Sequence, residues 1–434
     1  MKKYQSYKPS GNEFIGEIPE HWKPIRFGML GVFSSSGIDK KVVEDEIMVR
    51  MVNYTDIIKS RTHNPIIDNS INFMLVSTPT SKLKEHKLNK GDLVFLPSSE
   101  TCEDLGVSSL IDFDEDDIVF SYHILRFQFN REINHYFKKY LGNYHSVLCQ
   151  FSSEGKGTTR QIIGRNVFRN VWVVLPPLSE QLQIVQFLDE KTELIDKLIS
   201  TKERKITLLK QQRTSLINEV ITKGLNPKVK MKDSGVEWIG EIPEQWDVKK
   251  IKYCLRLISE KGETSTTDIK VSPENVENDT GICFNLYSDY TGEGMKFIKG
   301  DILLNKLRIY LKKILITDYE GFSMGEMIVL RNIQGYNKYF YYTFFIQGLI
   351  DLLNNQSTGV KLPRVSPEII MNTEIVFPTY EEQIKIVEFI NTRTNEIDEL
   401  VSMEQKKIDL LKEYRQSLIS EVITGKIDIR NNLN

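Results

Sequence analysis

The chain has 434 residues, 40% of them apolar and 27% charged, with a net charge of −2 and a pI near 6.4. That length suits about two to four domains, and the composition is globular rather than disordered. The near-neutral charge excludes a strongly basic, non-specific nucleic-acid coat but leaves room for local basic faces. The cysteines Cys102, Cys149, Cys254 and Cys283 show no C-x-x-C spacing, so reduced thiols in a cytoplasmic protein are expected, not a disulfide framework or a zinc site. The start, MKKYQSYKPSGNEF, has no apolar core and does not read as a signal peptide. No apolar run approaches the ~18 residues of a membrane span.

The first feature along the chain is Lys8–Trp22, KPSGNEFIGEIPEHW. Eleven of its fifteen positions recur in KDSGVEWIGEIPEQW, Lys232–Trp246, 224 residues later (232 − 8). Ile15, Ile18 and Trp22, with Ile239, Ile242 and Trp246, are expected as apolar anchors. Gly16 and Gly240 permit a turn, and Pro19 and Pro243 suit the first position of a short helical turn.

A second repeat has a different offset. Leu175–Thr222 and Phe377–Thr424 match at Pro176/Pro378, Glu180/Glu382, Gln181/Gln383, Asp196/Asp398, Arg213/Arg415 and Glu219/Glu421, an offset of 202 (377 − 175). Each half therefore has a fixed opening, a variable middle (Lys23–Val174 or Asp247–Val376) and a fixed end. The middles differ by 22 residues, the difference between the two offsets (224 − 202). A scaffold used twice, carrying two different recognition surfaces, fits this pattern.

The fixed ends read as helices. Leu188, Thr192, Ile195, Ile199, Lys202, Ile206, Leu209, Arg213, Leu216 and Val220 step by four and three alternately, as do Ile390 to Val422 in the second copy. That 3.5-residue period marks a coiled-coil seam. Neither segment holds an internal Pro or Gly, and each stops near a glycine, Gly224 or Gly425. Roughly 35–40 residues at 1.5 Å each give about 50–60 Å of helix. The two copies can pair with each other or each pack on its own domain; periodicity does not fix their direction.

Both middles mix strand-length apolar runs with turn signals, such as Gly91–Leu96, Ile118–Phe129, Gly300–Asn305 and Gly325–Asn332. Aromatic-rich helical stretches follow, Asn134–Leu148 and Asn337–Asn354. A small α+β domain is expected of each. In NKLRIYLKK, period-two alternation puts Lys306, Arg308, Tyr310 and Lys312 on one strand face, which suits phosphate contact or is simply a solvated face. The middles also share a loop, SSEGKGTTRQI (Ser152–Ile162) and NQSTGVKLPRV (Asn355–Val365), with Gly157 and Gly359 again 202 apart. A glycine beside Lys156, Thr158, Thr159 and Arg160, or beside Lys361 and Arg364, allows close approach to a phosphate or a base edge.

Catalytic signatures are missing from the sequence. There is no G-x-x-x-x-G-K-[ST] loop, no G-x-G-x-x-G after a strand and no Asn-Pro-Pro-Tyr type of methyltransferase motif. Asp189-Glu190-Lys191 lies in the seam helix, where charged flanks are ordinary. The six histidines (His21, His63, His86, His123, His135, His145) all fall in the first third without metal-ligand spacing.

The two copies of SGxExIGEIPExW, the two P-x-x-E-Q-x-x-I-V-x-F helix starts and the two SLI-x-EVIT helix ends together resemble the specificity subunit of type I restriction-modification systems. The resemblance spans nearly the whole chain. It implies an α+β fold: two α/β target-recognition domains, joined by two long helices in an antiparallel coiled coil, related by a pseudo-two-fold repeat. The implied division is 1–175 first target-recognition domain, 176–227 first helical spacer, 228–377 second target-recognition domain and 378–434 second helical spacer. It further implies a non-catalytic chain whose two domains each read half of a split, asymmetric site in double-stranded DNA. Such a chain docks two methyltransferase subunits, and two restriction subunits join in the full complex. No cofactor is expected in this chain; S-adenosylmethionine, ATP and Mg belong on the partners. Lys156, Thr158, Thr159, Arg160, Lys306, Arg308, Tyr310, Lys312, Lys361 and Arg364 become the candidate DNA contacts. A coiled-coil scaffold without DNA readout is the alternative. One departure stands out: DFDEDD, Asp112–Asp117, has five acids in six residues. It is expected on a surface away from DNA, as a partner-facing loop.

Overall fold

Residues 2–61 and 64–430 are described by the computed structural model of the chain; His63 lies outside the described residues. Both opening motifs are anchored as their apolar spacing requires, with Ile15, Ile18 and Trp22, and Ile239, Ile242 and Trp246, all buried. Gly16 and Gly240 take φ of +72° and +70°, a region that costs most other residues ~1–2 kcal/mol. Pro19 and Pro243 do not start helical turns. They end short strands, Glu17–Pro19 and Glu241–Pro243, which pair antiparallel with Tyr7–Pro9 and Met231–Asp233. A tight turn follows, closed by Trp22 N–H to the Pro19 carbonyl and Trp246 N–H to the Pro243 carbonyl, each 2.9 Å.

Each middle is bracketed by one antiparallel strand pair, Lys23–Arg26 with Trp172–Leu175 and Asp247–Lys250 with Glu374–Phe377. The chain therefore enters and leaves a middle side by side. This is why two middles of different length fit between the same fixed elements.

The chain divides into two units, Met1–Lys202 with Lys406–Asn434, and Glu203–Gln405. In the first, a five-stranded sheet has the order Gly31–Ser35, Leu125–Phe129, Leu93–Phe95, Ser108–Ile111, Ile66–Ile67. A three-stranded sheet has Ile118–Phe120, Ile47–Val52, Met74–Thr78. In the second, one four-stranded sheet runs Leu255–Ile258, Met327–Asn332, Ile302–Asn305, Ile314–Ile316. The other runs Lys261–Glu263, Glu293–Phe297, Gly321–Ser323, Lys270–Val271. The run Ile118–Phe129 is thus two strands, because Ser121–Ile124 makes a turn closed by Ile124 N–H to the Ser121 carbonyl, 3.0 Å. The aromatic stretches are helical, as Phe137–Leu141 and His145–Ser153, and as Asn337–Thr343 and Gln347–Asn355.

The repeated ends form two long helices, Leu178–Lys223 (46 residues) and Tyr380–Ile423 (44 residues), longer than the 35–40 expected. In the second unit Ile217, Val220 and Ile221 share a core with Ile386, Val387 and Ile390. Further along, Arg213 meets Asp398 at 3.3 Å and Lys205 meets Glu404 at 2.9 Å. Numbers fall on one helix as they rise on the other, so the pair is antiparallel. In the first unit Arg415 meets Asp196 at 3.0 Å. This is the Arg213–Asp398 pair with the helices exchanged, as the 202 offset requires. Gln181 and Gln383 are buried for a related reason. Each donates to a proline carbonyl at its own helix start (Pro176 or Pro378, 2.9 Å). Each accepts a backbone N–H from the middle, Asn134 at 2.9 Å or Tyr336 at 2.7 Å. Together these contacts tie the variable part to the fixed one.

Candidate nucleic-acid interface

In both units the glycine loop is a closed hairpin. Lys156 and Ile162 exchange backbone hydrogen bonds of 3.2 and 2.9 Å, and Thr358 and Arg364 exchange bonds of 2.8 and 2.9 Å. The partners again match at 202 (358 − 156 and 364 − 162). Gly157 has φ +130°, and a Cβ there would sit 2.1 Å from the Arg160 carbonyl oxygen. Gly359 has φ +97°, with the Leu362 carbonyl oxygen 3.0 Å from such a Cβ. Only glycine lets the backbone fold this tightly, so the side chains between the closing residues project outward.

Lys156, Thr158, Thr159 and Arg160 are all exposed on the first hairpin. Arg160 is aimed by a 3.1 Å hydrogen bond from its Nε to Ser98 Oγ, and its guanidinium lies 5.7 Å over the Tyr54 ring. On the second hairpin Lys361 and Arg364 are exposed, and Leu307 bridges to Arg364. Arg308 N–H donates to the Pro363 carbonyl at 2.8 Å, and Val365 N–H to the Lys306 carbonyl at 3.1 Å. Lys306, Arg308, Lys361 and Arg364 are therefore brought together, and exposed Tyr310 follows on the same segment.

The strand reading of NKLRIYLKK is overturned. The strand ends at Asn305, whose side chain accepts Leu307 N–H at 3.1 Å and donates to the Leu307 carbonyl at 2.8 Å. A 3-10 turn, Ile309–Leu311, follows between two left-handed residues, Arg308 (φ +51°) and Lys312 (φ +45°). Ile309 is buried by this turn, not by a pleat. Lys306, Arg308, Tyr310 and Lys312 do not share a face: Lys312 is buried, with its ammonium 3.6 Å from Asp279. The same alternation of residue types fits a strand and a short turn, so periodicity did not separate them.

Glu326 was not foreseen. Its carboxylate takes Arg364 at 2.9 Å and Lys306 at 3.4 Å, placing one acid between two candidate contacts. A single acid at the start of an apolar strand gives no signal in sequence. Tyr122 and His123 were also missed. Their rings meet at 3.8 Å between centroids, tilted by 38°, on a turn held by a 3.1 Å bond from Tyr122 N–H to the Ile38 carbonyl. Burial, and then the positive charges of Arg160 and Lys40, push the His123 pKa below its usual value.

The acidic run Asp112–Asp117 proves to be ion-paired within the first unit. Asp112 meets Lys90 at 3.0 Å and His135 at 2.8 Å. Glu115 and Asp117 share Arg50, and Asp116 takes Lys87. The Asp117 carboxyl is held below its ordinary range, first by the Arg50 hydrogen bond. The run is a charge-paired turn joining strands. Among the described residues no cluster of three or more His, Cys, Asp or Glu could hold a metal ion, and no helix is long and apolar enough to cross a membrane.

Comparison with known proteins agrees with this geometry. Residues 47–208 match the type I restriction modification DNA specificity domain. The putative type I restriction enzyme MjaX specificity subunit of Methanocaldococcus jannaschii is 22% identical over 96% of each chain. The MjaVIII specificity subunit of the same organism is 24% identical over 64% of this chain and 67% of its own. The fold resembles a solved chain from a study of assembly and conformational transition of the type I R-M system (TM-score 0.69, 14% identity, 94% of this chain and 99% of that one). It also resembles the HsdS subunit from Thermoanaerobacter tengcongensis (TM-score 0.51, 15% identity, 94% and 98%). With its duplicated openings, paired helices and twin glycine hairpins, this chain is similar over nearly its whole length to the specificity subunits of type I restriction-modification systems.

Proposed function

We propose that the chain is the non-catalytic, sequence-reading subunit of a type I restriction-modification complex in the cytoplasm, and that each unit reads one half of a split, asymmetric DNA site. The observation that carries this is the twin hairpin. Two unlike middles present the same glycine-closed loop at equivalent positions, with different basic side chains on it. The common backbone suits phosphate approach, and the differing side chains suit two different half-sites. The first recognition domain is 1–175 and the second 228–377, with 176–227 and 378–434 setting the spacer.

The partners are two methyltransferase subunits, one on each unit, with two restriction subunits added in the full complex. In the first unit Leu198 and Leu410 stand exposed on the long helices, and in the second Leu400 and Leu208 do. These are the same two positions exchanged by the 202 offset, so each unit offers the same apolar pair to the same partner. S-adenosylmethionine, ATP and Mg act on those partners. The near-neutral chain leaves much of the salt-sensitive phosphate grip to them.

The test is a map of methylated adenines in a host lacking other adenine methylation, carrying the partner methyltransferase with and without this chain. A split motif that appears only with this chain is the expected result. Methylation that ignores the chain refutes the reading and leaves a scaffold.

A further inference from the structure

The two units can be put in register residue by residue. Asp92 and Asp301 open matching strands, each accepting the backbone N–H three residues before it, Asn89 at 3.0 Å and Ile298 at 2.9 Å. The next positions pair alike, Leu93 with Phe127 and Ile302 with Leu330. In the other sheet Met51 pairs with Val119 and Lys270 with Phe322. Both registers set residues 119–127 against 322–330, an offset of 203 (322 − 119 and 330 − 127). The backbone agrees. Ser121 N–H donates to Val52 at 3.0 Å and Met324 N–H to Val271 at 2.8 Å. The same turn then closes at Ile124 and at Met327. Its two middle residues are Tyr122-His123 in one unit and Gly325-Glu326 in the other.

The hairpins obey the same frame. Ile162 pairs with Ser98, six residues after Asp92. Arg364 bridges to Leu307, six residues after Asp301. One turn therefore lies beside the basic hairpin in both units but carries opposite chemistry. In the second unit it places a carboxylate against Lys306 and Arg364. In the first it places an imidazole in tilted contact with a tyrosine ring, 3.8 Å between centroids.

A carboxylate at a DNA-facing surface is repelled by every phosphate. The groups on DNA that welcome it are the exocyclic amino donors, N4 of cytosine and N6 of adenine in the major groove. Its two cations offset the charge during approach. A neutral imidazole has one donor and one acceptor nitrogen, so it discriminates base edges without adding to the phosphate grip. The Tyr122 ring packs against it, tilted by 38°. We propose that this turn is the specificity-determining position of each unit: His123 reads a base edge in the first half-site, and Glu326 reads an exocyclic amino group in the second. This rests on the DNA-reading function proposed above.

The experiment uses the complex assembled with its partner methyltransferase subunits, and maps methylated sites for the wild type, His123→Ala and Glu326→Gln. Glu326→Gln is expected to alter preference at one position of the second half-site, with discrimination there falling about 5- to 150-fold. His123→Ala is expected to do the same at one position of the first half-site. If Glu326→Gln does not fold, Glu326→Asp keeps the charge, shortens the reach and must shift the same position. A wild-type split motif that survives unchanged in the variants, with methylation lowered evenly at all sites, overturns the proposal and leaves the DNA-reading function standing. No motif with the wild type removes both.

Discussion

Asp92 is buried at the start of the Leu93–Phe95 strand, and its pKa is raised from 3.8 to about 6. Burial is the main cause; the Asn89 N–H partly offsets it. Asp301, at the matching position, has a bidentate partner in Arg331 at 2.8 and 2.7 Å. In the first unit the residue in register with Arg331 is Gln128 (331 − 203), so Asp92 lacks that cation. A carboxyl whose folded pKa is raised binds more protons folded than unfolded. The first unit therefore loses stability as pH climbs from about 4 to about 6, and the loss stays constant above that. At about 1.4 kcal/mol per pH unit, the gap between 3.8 and about 6 corresponds to about 3 kcal/mol at pH 7. Asp92→Asn cannot ionise, keeps an acceptor for Asn89, and is expected to recover up to that amount at pH 7 and almost none at pH 4. Urea unfolding across pH 4–8, with hydrogen exchange on peptides covering 91–111 to locate the effect, measures it. The same stability-versus-pH slope in wild type and variant between pH 4.5 and 6.5 would refute the reasoning.

Other expectations follow from geometry already described. Lys156→Ala or Lys361→Ala should weaken DNA binding of the assembled complex on all sequences and lower the log–log salt slope by about 0.9, measured by titration at several salt concentrations. Gly425→Ala should destabilise the first unit more than Gly16→Ala. Both have left-handed φ (+72°), but a Cβ at 425 lies 2.4 Å from the Pro19 ring, whereas nothing lies within 4 Å of one at 16. Thermal melts should place Gly16→Ala at a loss of about 1–2 kcal/mol and Gly425→Ala about 1–3 kcal/mol beyond it. Leu198→Glu should cost the complex one methyltransferase subunit and leave the other bound, read as mass by light scattering; retention of both would exclude that face. Seven residues added to both long helices should lengthen the DNA spacer by about three base pairs, since seven residues add about 10.5 Å of helix. An active complex with an unaltered spacer would count against the helices as a ruler.

The parts legible in the sequence were those in which the chain repeats itself. Trp22 and Trp246 needed burial, whereas Gln181 and Gln383 matched by offset without revealing their partners. Asp196 and Arg415 could be matched by offset before any geometry was known, although their antiparallel pairing could not. The glycine hairpins were legible because Gly157 and Gly359 fell in step. What failed was local. Lys312 looked like a strand-face cation, because alternation of residue types is shared by a strand and a 3-10 turn. Asp112–Asp117 was expected as a partner-facing loop away from DNA, and its ion pairs were not foreseen because Arg50, Lys87 and Lys90 are distant in sequence. Glu326 and the Tyr122–His123 turn gave no signal, since their meaning comes only from neighbours supplied by the sheet.

The Pro19–Trp22 corner rests on Gly425, just as Pro243–Trp246 rests on Gly224. Both middles are therefore plugged into matching sockets, and a foreign middle flanked by the same two corners would meet the same joints. The stretches that make the sockets are also those most alike in sequence. At the level of inheritance, a crossover between two such genes is thus steered to the joints, where the swapped product still folds. A lineage can change what this chain touches in a single event, without the slow accumulation of point mutations through non-folding intermediates.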